Sequence, residues 1–131
     1  MFGYIFGAVI YCLCGMVFIS IGVYDYKSEK PITINTSIKP PRVEELKSVS
    51  EWNKKHGLLF GGYGALLILG YALSYFFIYN AYISLLLTVV LPFLYIPFMI
   101  FYHKYLEKKL IDKEKEEELD EKDKEDFYNK F

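Results

Sequence analysis

From Leu58 to Tyr102 the chain runs 45 residues without an Asp, Glu, Lys, Arg or His. One helical crossing of a bilayer takes about 20 predominantly apolar residues, so this run predicts two crossings joined by a tight turn. Aromatic rings and an amide interrupt the aliphatics at Tyr79-Asn80-Ala81-Tyr82, which places the turn there. Met1–Tyr24 is also apolar and free of charge, and at about 1.5 Å per residue it is long enough for a third crossing. No Lys or Arg precedes it and no small-x-small site closes it, so it reads as a permanent helix rather than a cleaved signal. The expected crossings are 2–24, 57–79 and 82–103, within one membrane domain over 1–131.

The polar segments follow other rules. In the first loop, 25–56, Pro31, Pro40 and Pro41 exclude a continuous helix through the first half, because each lacks a donor and restricts its predecessor. Ile32, Ile34 and Ile38 alternate with Thr33, Asn35 and Ser37, an extended pattern. After Pro41 the period changes to that of a helix. Val43, Leu46, Val49 and Trp52 recur with Glu44, Glu45, Lys47 and Glu51 between them. This predicts a short amphipathic surface helix with Trp52 at headgroup level, which either continues into the second crossing or bends near Gly57. The tail, 104–131, alternates Lys with Asp and Glu, with i,i+4 pairs such as Glu118/Lys122 and Asp126/Lys130. Its apolar positions (Leu106, Leu110, Leu119, Phe127) are too sparse for a coiled-coil seam, so it is expected as a solvated helix continuing the third crossing.

Charge adds a direction. All 15 Lys and Arg fall in the first loop or the tail, and none lies before the first crossing or in the 79–82 turn. Basic residues mark the cytoplasmic side, so the expectation is N-terminus outside, with loop and tail in the cytoplasm. The fold class expected is therefore an all-α integral membrane protein of three transmembrane helices. Net charge of −1 says little about partners and gives no reason to expect nucleic acid.

Small residues and prolines are the candidate packing positions. Gly3 and Gly7 form a G-x-x-x-G, as do Gly57 and Gly61, and Gly62, Gly64 and Gly70 follow in the second crossing. Such spacing lets two helix backbones approach closely. Pro92 and Pro97 should kink the third crossing, since each frees a carbonyl one turn earlier. With the turn centred near Asn80, His56 lies level with His103, Gly62 with Pro97 and Leu67 with Pro92. The expectation is that the glycines of the second helix accommodate the kinked third helix.

Chemistry-bearing groups are few. Cys12 and Cys14 form no disulfide framework and read as small packed hydrophobes. His56 and His103 sit at the cytoplasmic rim, but no Cys or carboxylate set joins them in metal-ligand spacing. With no nucleophile–base pair and no phosphate loop, neither catalysis nor a bound cofactor is expected. No ionisable residue lies at membrane depth, where an ion path usually carries one. Lys54, Lys55, His56, His103, Lys104 and Lys108 form a basic cluster suited to an anionic lipid headgroup.

Thr36-Ser37-Ile38-Lys39-Pro40, then Trp52-Asn53-Lys54-Lys55-His56-Gly57 and Gly61-x-x-Gly64, resemble uncharacterised small three-helix membrane proteins of Gram-positive bacteria. More distantly the chain is similar to the SdpI-type bacteriocin-immunity family, although Arg42 precedes Val43 where that family is associated with an Arg-Thr pair. The resemblance covers about a quarter of the chain. It implies a plasma-membrane protein with an immunity or accessory role. The function expected is a non-enzymatic accessory acting through helix–helix contacts, with lipids and another membrane protein or a second copy as partners. The alternative is a subunit of an oligomeric channel or transporter.

Overall fold

The computed structural model describes residues 2–32 and 40–131. The alternating stretch beyond Ile32, and Thr36–Lys39 of the resemblance, lie outside the described residues. Three helices are long and apolar enough to cross a membrane: Phe2–Lys27, Val49–Phe77 and Ala81–Leu110, with mean hydropathies of 2.3, 1.6 and 2.4. We label them α1 (Phe2–Lys27), α2 (Val49–Ser74, extended by a 3₁₀ turn to Phe77), and a third span built from α3 (Ala81–Leu85), a π-helical turn (Leu86–Val90) and α4 (Leu91–Leu110). A final helix, α5, covers Lys113–Asn129.

Each boundary has a local cause. Ser48 caps α2 by accepting a hydrogen bond from the Glu51 amide at 3.2 Å. Of the amphipathic stretch after Pro41, Val43–Glu45 forms one 3₁₀ turn, and the part from Val49 runs straight into the second span without a bend at Gly57. The hairpin turn falls at Asn80, whose side chain caps α3 by accepting from the Ile83 amide at 3.2 Å. The third span ends at Leu110, and Asp112 caps α5.

α2 is the central helix. Against α1 it packs through glycines spaced by seven, not by four. A Cβ built on Gly22 would lie 2.5 Å from the Gly57 carbonyl oxygen, and one on Gly57 would lie 2.5 Å from the Gly22 carbonyl oxygen. One turn pair further along, Gly15 and Gly64 stand in the same relation, each facing the other's carbonyl. A seven-residue repeat keeps one seam in register between two helices. In lipid, where burial of apolar surface drives little, such close backbone packing is what holds helices together. Gly7 continues the seam by making room for the Tyr71 ring, whereas a Cβ on Gly3 would touch nothing within 4 Å. Tyr4 and Tyr71 then exchange hydroxyl-to-carbonyl hydrogen bonds of 3.1 and 2.8 Å.

The other side of α2 meets the third span. Gly70 abuts the Leu87 carbonyl oxygen (2.7 Å from a built Cβ) and Gly62 abuts the Tyr95 hydroxyl (2.8 Å). The division of labour among the glycines is thus a correction: Gly57 and Gly64 serve α1, and only Gly62 and Gly70 serve the third span. A Cβ on Gly61 would meet nothing, although its backbone lies against Gly22. The reason is that α1 has its own glycines and can come within backbone contact, while the third span presents tyrosine and leucine.

Pro92 frees a backbone carbonyl in the third span. Having no N–H, it leaves the Thr88 carbonyl without its helical donor, and the Tyr11 hydroxyl of α1 supplies one at 2.8 Å. A π-helical turn occupies Leu86–Val90, immediately before the proline. Tyr11→Phe is expected to cost about 1 kcal/mol, in the range of single hydrogen bonds within membranes. That cost should shrink when Pro92→Ala restores the backbone donor. A double-mutant cycle of unfolding in detergent checks this, and an equal cost in both backgrounds would sever the link between Tyr11 and Pro92.

Candidate functional site

Two small cores flank the level of His56. Leu59, Phe60 and Met99 form one within the spans. The other lies at the charged end, where Ile32, Leu46, Trp52, Leu106 and Leu110 pack together. The start of the tail is therefore not a solvated helix. Leu106 and Leu110 are among the most buried side chains, because the first loop folds over them. An antiparallel bridge joins Leu46 to Ile111, with the Lys47 amide donating to the Leu110 carbonyl and the Asp112 amide to that of Glu45, both at 2.8 Å. Arg42 extends the link to α5, its Nη2 meeting Asp120 at 3.1 Å and Asp123 at 2.8 Å.

Within this end, Trp52, Asn53 and His56 occupy the buried face of the first turns of α2. Asn53 is fully buried and uses its whole amide. Its Nδ2 donates to the carbonyls of Ser28 (2.9 Å) and Lys30 (2.8 Å), and its Oδ1 accepts from the Ile32 amide (3.1 Å). The segment leaving α1 is thereby wrapped round one side chain. Trp52 adds a fourth tie, its indole N–H donating to the Ile32 carbonyl at 3.0 Å.

His56 is also fully buried. Its Nδ1 lies 2.8 Å from the Trp52 carbonyl oxygen and its Nε2 lies 2.8 Å from Nδ1 of His103. His103 in turn sets Nε2 2.9 Å from the Glu107 carboxylate. Rings of Trp52 and His56 lie 4.3 Å apart between centroids, and those of Trp52 and His103 5.6 Å. A continuous line of hydrogen bonds thus runs from the half-exposed Glu107 to the interior backbone of α2.

Of the residues proposed for a lipid headgroup, Lys54, Lys104 and Lys108 are exposed and Lys55 is partly so. Lys54 lies over the Tyr26 ring at 5.6 Å. His56 and His103 do not belong with them, because they face each other in the interior. Nor do they frame an ion: zinc–nitrogen bonds of about 2.0–2.1 Å need more space than nitrogens 2.8 Å apart leave. Among the described residues no three His, Cys, Asp or Glu side chains converge as metal ligands. Cys12 and Cys14, expected as packed hydrophobes, are exposed on α1, because the inner seam of that helix belongs to its glycines.

The apolar surface of the spans is grooved. Between α1 and the third span opens a cleft of about 390 Å³, floored by Tyr63 and Leu67 of α2 and walled by Ile10, Cys14, Val89 and Phe93. Three hydroxyls at or near it are engaged inside the bundle: Tyr11 with the Thr88 carbonyl, Thr88 with the Ser84 carbonyl (2.8 Å), and Tyr95 with the Leu59 carbonyl (2.9 Å).

No family model, curated protein or solved structure matches the chain.

Proposed function

We propose that the chain is a small, non-enzymatic, multi-pass protein of the bacterial plasma membrane that works by helix–helix contact, as an accessory to another membrane protein. The observation that carries the reading is the cleft between α1 and the third span, an apolar slot at membrane depth with no charged lining residue. It has the chemistry of a seat for an apolar helix. A conducting path would want free polar groups, and here the Thr88 hydroxyl and the Tyr11 and Tyr95 hydroxyls serve carbonyls of the bundle itself. The resemblance to immunity-type proteins sharpens the proposal to protection against a secreted membrane-active peptide. A photo-crosslinking residue at Phe93 should capture one discrete membrane polypeptide, while the same probe at exposed Leu58, outside the cleft, should not. Adducts with lipid alone would sink the reading. Heightened peptide sensitivity on deletion of the gene would support the sharper version.

The orientation proposed puts the N-terminus outside and the loop and tail in the cytoplasm. It rests on the gathering of the basic residues at one end, where Arg42 and the loop meet the tail. In a background lacking Cys12 and Cys14, Tyr79→Cys should react with an impermeant maleimide in intact cells. Lys115→Cys should react only after permeabilisation. The reverse pattern would invert the topology.

A further inference from the structure

The line from Trp52 to Glu107 contains a proton count. At one end the acceptor is the Trp52 carbonyl oxygen, so Nδ1 of His56 must carry a hydrogen. At the other end the acceptor is the Glu107 carboxylate, so Nε2 of His103 must carry one as well. Between the rings, Nε2 of His56 and Nδ1 of His103 share one hydrogen across 2.8 Å. Three hydrogens on two imidazoles make a pair with a charge of +1. Burial settles where it sits. His56 is fully buried and its partner is a neutral carbonyl, so the cation is His103, which faces the carboxylate.

We propose that His56, His103 and Glu107 form a proton-operated latch that fastens α2 to the third span. With Glu107 ionised, the geometry satisfies every ring nitrogen in one protonation state only. With two hydrogens on the pair and a carboxylate at Glu107, every arrangement leaves a lone pair facing a lone pair. Either His103 Nε2 confronts the Glu107 carboxylate, or the two inner nitrogens confront each other, or His56 abandons the Trp52 carbonyl. With four hydrogens, two N–H groups meet at 2.8 Å. The latch therefore closes in an intermediate pH range and opens on both sides of it. The half-exposed Glu107 carboxylate gives the line a route to water.

Charged groups on the neighbouring elements leave this count unchanged. On α2, Glu51 is within 3.8 Å of Lys109 and Lys54 lies over Tyr26. In the 3₁₀ turn, Glu45 faces Arg42 at 3.6 Å. On α1, Asp25 is buried near the Gly22–Gly57 contact. Among the described residues, Glu107 is the one charged side chain within ion-pair distance of the two rings. The inference does not depend on the accessory role proposed above.

The sole tryptophan of the chain, Trp52, is in contact with both rings and reports on them. Its emission in the full-length protein, reconstituted in nanodiscs and titrated from acid to alkaline pH, should show two transitions enclosing a plateau. His103→Asn keeps a donor near the position of Nδ1 but does not titrate, and it should abolish the upper transition. Glu107→Gln removes the anion that favours the imidazolium and should move the upper transition to lower pH. Nitrogen-15 spectra of the unmutated protein on the plateau give a reading independent of any variant. They should show one doubly protonated ring and one neutral ring with hydrogen on Nδ1. A flat emission titration, an upper transition that survives His103→Asn, one that Glu107→Gln leaves in place, or two neutral rings on the plateau would each overturn the latch.

Discussion

Alanine at Gly57 or Gly22 is expected to lower the unfolding free energy in detergent by about 1–3 kcal/mol, the range for overfilling a packed contact. Alanine at Gly61 or Gly3 is expected to leave it unchanged or to raise it slightly, since helix propensity favours alanine where nothing obstructs it. The two pairs differ only in what a methyl group meets. At Gly57 it would lie 2.5 Å from the Gly22 carbonyl oxygen and 2.7 Å from the Tyr26 amide nitrogen. Both are backbone atoms, so no rotamer change relieves the clash and α1 must move away from α2. At Gly61 and Gly3 no atom lies within 4 Å. Leucine at Gly57 should separate the helices outright, read as loss of a cross-link between cysteines placed near the Gly15–Gly64 contact. Similar losses at all four glycines would refute the seven-residue seam.

The same glycines mark the limit of what sequence revealed. The spans were legible because charge is excluded from hydrocarbon, and Leu58–Tyr102 contains none. Asn80 was legible as the turn, and its position alone brought His56 level with His103. The seam was present as Gly15/Gly22 and Gly57/Gly64, yet the four-residue spacings Gly3/Gly7 and Gly57/Gly61 concealed it. Local spacing does not say which neighbour a helix will choose, and α1 is joined to α2 by a long loop that carries no register. The charged-end core was hidden for a related reason. Leu106 and Leu110 look isolated among lysines, and only the return of Ile32 and Leu46 from the first loop gives them partners. Nothing local to Asn53 signals that three backbone groups more than 20 residues away will converge on it.

Asn53 therefore carries the second large effect. Asn53→Ala leaves the Ile32 amide and the carbonyls of Ser28 and Lys30 without their partner. An unsatisfied buried group costs about 1–3 kcal/mol, and partial hydration of three such groups together suggests a loss of about 2–4 kcal/mol. Asn53→Asp separates hydrogen bonding from shape. The carboxylate still accepts from the Ile32 amide, but its second oxygen now faces two carbonyl oxygens at the distances of the former hydrogen bonds, 2.9 and 2.8 Å. Burying an anion against acceptors is worse than leaving a gap, so at neutral pH Asp should be at least as damaging as Ala. The sign of its pH dependence follows. The folded protein favours the protonated carboxyl, which donates one of the two lost bonds, so stability of this variant should rise as the solution is made acidic. The Ala variant lacks that recovery. Thermal unfolding at several pH values, alongside proteolysis of the 25–42 segment, checks both statements. Parallel pH profiles for the two variants would mean that Asn53 acts by volume alone and that the loop is held by Trp52.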